Sequence, residues 1–159
     1  MPHRPHDSGF TMIELLVTIS LMGIMMAIAV TGWLSWTKAS AQSGSANELE
    51  STLRQTQQRA VTEARNMCVR FETGQDVYNV YTGECDDGPT VKVAGPFSTD
   101  RAEVHFGSPS FTGRHHTGPG VTFYARGSAS PGTVQVTRTG ESKVYTLRVE
   151  GLTGRVSLS

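Results

Sequence analysis

The most exposed piece of chemistry in this sequence is a single carboxylate, Glu14, at the start of a long apolar run. Residues 10–36 read FTMIELLVTISLMGIMMAIAVTGWLSW, and no charged residue follows Glu14 for 22 positions. Near the start of a membrane helix a carboxylate is costly unless it is neutralised, paired or kept at the interface. Glu14 therefore either snorkels into the headgroups or meets a positive partner. Cys68 and Cys85 are the second chemical pair. In an exported domain they would form a disulfide, with free thiols or a metal site as the alternatives. A structural zinc takes about four ligands. His115 and His116 are available, but adjacent histidines in a Gly-rich loop usually face solvent.

Catalytic patterns are missing. The chain has no phosphate-binding loop, no GxSxG and no HExxH, and no local arrangement of Ser, His and Asp. Cys68 with His105 is conceivable as nucleophile and base, yet a strand cysteine in an exported domain is better explained as half of a disulfide. The expectation is a protein that is not an enzyme, with no cofactor and no metal. Lys+Arg and Asp+Glu are both 14, and the pI is near 7.0, which excludes a generally basic nucleic-acid binder. From His105 onward, however, Arg114, Arg126, Arg138, Lys143, Arg148 and Arg155 face only Glu141 and Glu150. Arg114, Arg126, Arg148 and Arg155 are thus candidate DNA-binding residues, whose affinity would fall with salt.

The elements that would position these groups follow from hydrophobic patterning. About 20 apolar residues span a bilayer as a helix, so residues 10–36 enter a membrane. Trp33 and Trp36, followed by Lys38, suit an aromatic interface belt. The run exceeds the roughly 7–15 apolar residues of a secretory signal, and the small-residue stretch at 39–41 is a weak cleavage site. Residues 40–45 (SAQSGS) are small and polar. Helical spacing then resumes through Leu49, Leu53, Ala60, Val61, Ala64 and Cys68. One long helix softened near Gly23, Gly32 and Gly44, or two helices with a hinge, would satisfy it. Past Met67 the period becomes two. Residues 68–72 and 77–81 read as a hairpin whose base the two cysteines flank. Further strands are expected at 90–93, 103–106, 120–124, 133–137, 143–150 and 155–158, with 107–119 as loop. The predicted fold is α+β: a long, partly transmembrane N-terminal helix (10–36, continued amphipathically over 37–67) packed on an antiparallel β-sheet domain (68–159).

Gly9-Phe10-Thr11-Met12-Ile13-Glu14-Leu15-Leu16 resembles the processing motif of type IV prepilins. That resemblance implies a leader at 1–9, cleavage after Gly9 by prepilin peptidase, and methylation of the new N-terminus at Phe10. It also implies that Glu14 pairs with the terminal amine of a neighbouring subunit. Residues 58–66 (QRAVTEARN) with Cys68-Val69, residues 123–134 (FYARGSASPGTV) and Gly154-Arg155-Val156 resemble the GspH/FimT pilin group. The implied protein is a minor pilin or pseudopilin of a type IV pilus or type II secretion pseudopilus. Its partners would be other pilin subunits, the peptidase and the membrane, with the C-terminal domain outside the cytoplasm. Some members of that group bind DNA for natural transformation through a G-R-x-R ending. Here the sequence departs from it, reading Gly154-Arg155-Val156-Ser157.

Overall fold

The computed structural model describes residues 10–72, 74–86, 91–99, 103–115 and 117–159. The chain divides between Ala39 and Ser40 into two compact units. A single helix, α1 (Met12–Thr62), contributes to both and continues through Gly23, Gly32 and Gly44. An isolated helical glycine costs about 1 kcal/mol, too little to end a helix of this length. In the first unit the Met12–Val30 stretch has mean hydropathy 2.3 and holds no buried residue, and it has the length and composition to cross a membrane. The hydroxyls of Thr18 and Ser20 donate to the carbonyls of Leu15 and Leu16, each at 2.8 Å, which satisfies them inside an apolar setting.

In the second unit α1 buries Gln42, Ala46, Leu49, Leu53, Thr56 and Ala60, each at most 3% exposed. Their steps alternate between four and three residues, the narrow seam of a helix that presents one stripe to a partner. Val61 is half exposed and Ala64 lies outside the helix, so neither belongs to the expected apolar face. The helix stops at Thr62 because Ala64 adopts a left-handed conformation (φ 50°). The Ala64 N–H then donates to the Val61 carbonyl (3.3 Å) and the Arg65 N–H to the Ala60 carbonyl (3.1 Å). These two bonds form a Schellman cap, and they deliver the chain to its first strand.

The strands are β1 (Met67–Glu72), β2 (Val77–Thr82), β3 (Val91–Ser98), β4 (Val104–Thr112), β5 (Thr117–Gly118), β6 (Gly120–Phe123), β7 (Gly132–Arg138), β8 (Tyr145–Val149) and β9 (Val156–Leu158). Two antiparallel sheets result, ordered β3-β2-β1-β6 and β5-β4-β7-β8-β9. The expected hairpin is present, in register from Met67↔Thr82 to Glu72↔Val77. The expected loop over 107–119 is not. β4 runs on to Thr112 through a register shift between Gly107 and Ser110, where Ser108 takes φ 45°. A bulge of this kind admits Pro109, which a regular central strand would reject.

Inward residues of both sheets close over the α1 seam to form one core. At its centre the ring of Phe71 lies 5.8–6.0 Å from those of Tyr78, Phe106 and Phe111. The Tyr78 hydroxyl donates to Thr52 Oγ1 at 3.2 Å. Side chains of α1 also bond to the backbone of the larger sheet and its turns. Gln42 Nε2 donates to the carbonyls of Val136 (3.1 Å) and Lys143 (2.7 Å), and Gln57 Nε2 to that of Thr153 (2.9 Å).

Burial pushes the Tyr78 phenol up to about 12, with nearby Glu48 adding to the rise and the Thr52 hydrogen bond opposing it. The unfolded chain releases this proton near pH 10. Folded-state stability is therefore intact below about pH 10 and falls as pH rises toward 12. Tyr78→Phe should flatten that decline in urea midpoints measured between pH 8 and 11.5. An unchanged alkaline slope would assign the loss to other groups, Tyr124 among them, which burial and neighbouring Glu84 also raise.

Candidate functional site

The helix start is built by local chemistry. Thr11 caps α1: the Glu14 N–H donates to the Thr11 carbonyl at 3.1 Å and to its Oγ1 at 3.3 Å. Thr11 and Glu14 have the T-x-x-E spacing of a capping box, in which the acid at the third helical position also suits the positive end of the helix dipole. Phe10 precedes the cap and is 80% exposed. Gly9 lies outside the described residues. No basic residue occurs in the sequence between Glu14 and Lys38. A cation for Glu14 must therefore come from outside that stretch of helix.

Cys68 and Cys85 form a disulfide, with an S–S distance of 2.08 Å and 5.2 Å between Cα atoms. It is not a rung of the hairpin, since Cys68 stands opposite Tyr81. The segment after β2 instead folds back across β1 toward β6, where the Cys85 N–H donates to Thr122 Oγ1 at 3.0 Å. Thr122 is itself the β6 partner of Cys68. His105, imagined as a base for Cys68, joins other groups. Its Nδ1 lies 2.7 Å from Asp76 Oδ2 and its Nε2 3.0 Å from Thr139 Oγ1. Asp76 also accepts the Phe106 N–H at 2.9 Å, so the β1–β2 turn is tied to β4 and the two sheets are linked. The His115 N–H donates to Asp86 at 3.0 Å, and His116 lies outside the described residues.

The four candidate DNA-binding arginines fall into two neighbourhoods. Arg114 lies 3.8 Å from Glu84, and the charges of Arg114, Arg126, Glu84 and Asp86 all act on the Tyr124 phenol. Arg126 stacks over the Tyr124 ring at 5.2 Å and donates to Ser128. These acids offset the charge that a phosphate would need. Arg148 projects from the outer face of β8, opposite Ser157. Arg155 lines a shallow groove with Arg54 and Gln57.

Two motif glycines have structural causes. A Cβ at Gly132 would meet the Ser110 carbonyl oxygen at 2.2 Å and Phe111 Cα at 2.6 Å, so β4 and β7 approach each other only there without a side chain. Gly154 has φ +62°, and a Cβ there would lie 2.6 Å from the Gly127 carbonyl oxygen. Sequence reasoning missed Gln42, Thr56 and Asp76. The signal for the first two was the four-three rhythm, once polar residues are allowed into it.

An apolar helix with a capped start, whose later part packs on antiparallel sheets, defines a pilin-like structural subunit. Residues 45–153 match the family profile described as Type II transport protein GspH, and residues 4–30 match the prokaryotic N-terminal methylation motif. The chain belongs to the GspH family. Among solved structures, the minor pseudopilin EpsH from the type 2 secretion system of Vibrio cholerae aligns with TM-score 0.55 and 14% identity, over 72% of this chain and 93% of that one. The type IV minor pilin FimU of Pseudomonas aeruginosa aligns with TM-score 0.56 and 16% identity, over 78% and 92%. At these identities the likeness is one of fold. No curated protein is significantly similar in sequence. The protein is thus a minor pilin- or pseudopilin-type structural subunit of a type II secretion pseudopilus or type IV pilus, anchored through its apolar helix. The class is not enzymatic. Such subunits assemble with other pilin subunits and are processed by prepilin peptidase.

Proposed function

We propose that the chain is made as a precursor, cut after Gly9, and staged as a single-pass protein of the cytoplasmic membrane with its β domain outside the cytoplasm. Phe10 then carries a methylated amine, and Glu14 pairs with the terminal amine of a neighbouring subunit as the helix enters the filament core. The observation that carries this reading is the Thr11-capped helix start, with Glu14 as the fifth residue after Gly9, inside the matched methylation motif. An apolar bundle gives an ammonium–carboxylate pair a role in fixing register even where its net stabilisation is modest. The Cys68–Cys85 disulfide fits an oxidising compartment for the β domain.

The test is intact mass and N-terminal sequencing of protein recovered from membranes of cells carrying the peptidase. The wild type should begin at Phe10 with one added methyl group, and Gly9→Val should leave the chain starting at Met1. A wild-type start at Met1, or near Ser40, would overturn the proposal.

A further inference from the structure

We infer that Trp33 and Trp36 form an interfacial anchor that seats in the headgroup region of a lipid bilayer, on the side away from Phe10. The inference rests on the membrane-anchored reading and adds to it a partner surface and a depth. The two rings are 66% and 64% exposed, lie 5.7 Å apart and are tilted by 51°. They stand on α1 just past Val30, where the apolar window ends, so they continue the lipid-facing surface. Beyond them the sequence turns small and polar at 40–45. An indole has a large apolar body and one N–H donor. It loses a hydrogen bond when pushed into hydrocarbon and exposes apolar surface when pulled into water.

The spacing agrees. Glu14 and Trp33 are 19 positions apart, about 28 Å along a helix that rises 1.5 Å per residue. A hydrocarbon core is about 30 Å thick. With Trp33 at the far boundary, Glu14 stands at the near boundary, where its carboxylate reaches water without crossing hydrocarbon. The tryptophan pair and Glu14 bracket the span, and each resists sliding in one direction.

The chain has two tryptophans, both in this pair, so its indole fluorescence reports on the anchor alone. The full-length protein would be reconstituted at low protein-to-lipid ratio in phosphatidylethanolamine–phosphatidylglycerol vesicles carrying spin labels near the headgroup or at the bilayer centre. Trp36→Phe and Trp33→Phe isolate each indole in turn. The expected result is stronger quenching by the shallow label than by the central one for both residues. Trp36 should lie about 4.5 Å shallower than Trp33, the rise of three residues along the helix axis, and be the more open to aqueous acrylamide. Stronger quenching by the central label would overturn the inference. So would full access to acrylamide without lipid quenching, or shielding from lipid and water alike, which would mean burial against other chains. If alkaline carbonate extracts the protein from the vesicles, the membrane-anchored reading falls along with the anchor. Retention combined with any of the three adverse quenching results sinks the anchor alone.

Discussion

Replacing Cys68 and Cys85 together with alanine is expected to lower the stability of the Ser40–Ser159 unit by about 3 kcal/mol, the usual effect of opening a loop of this length. The two cysteines are separated by 17 positions. The bond does more than shorten the unfolded chain. It presses the segment after β2 across β1, and a Cβ on Gly120 of β6 would already meet the Cys85 sulfur at 2.8 Å. The same segment is tied at Glu84 to the Asn66 amide (2.9 Å), and Asn66 in turn accepts the Ala125 N–H at 3.1 Å. Three connections therefore converge where the disulfide holds them: the α1–β1 turn, the segment after β2 and the turn after β6. The loss should appear first as faster hydrogen exchange at the β1 and β6 amides, and reducing agent should reproduce it in the wild type. A change below about 0.5 kcal/mol, the size of an ordinary surface substitution, would show that the hydrogen bonds hold this end unaided.

Much of this architecture is legible in the sequence, because strong patterns leave few choices. A long uncharged run with one carboxylate at its head has few physical solutions, and strict alternation on either side of 73–76 marks the β1–β2 hairpin. Weak patterns misled where tertiary context decides. The α1 seam contains Gln42 and Thr56, which a hydrophobic count omits. Gln42 is buried because its amide satisfies two sheet carbonyls. Residues 107–119 read as loop because Gly, Ser and Pro are common there, yet one bulge keeps β4 in register with β7 past Pro109. Charge counts along the chain also lack neighbours. Arg114 looks like part of a basic third until the fold sets it beside Glu84, thirty positions earlier. Asp76 and His105 are 29 positions apart and carry no local signal of their contact.

Glu14→Gln is expected to leave the protein processed and membrane-bound but nearly absent from filaments. The substitution is informative because glutamine also serves at the third position of a capping box. The Thr11 cap and the start of α1 should therefore survive, and only the charge is lost. Under the proposed pairing, the amine of a neighbouring Phe10 would then enter the apolar filament core without a counter-charge. Breaking a buried ion pair by removing one partner costs about 3–5 kcal/mol, so incorporation should fall on the order of a hundredfold or more at equal subunit supply. Glu14→Asp keeps the charge on a shorter side chain and should fall between the two. The comparison is the amount of subunit in sheared filaments against the amount in membranes, each normalised to the fraction starting at Phe10. Filament levels of Glu14→Gln equal to wild type would show that the carboxylate serves the helix cap and the membrane interface, and that another contact sets register. Loss of processing in Glu14→Gln would place its role earlier, at the peptidase.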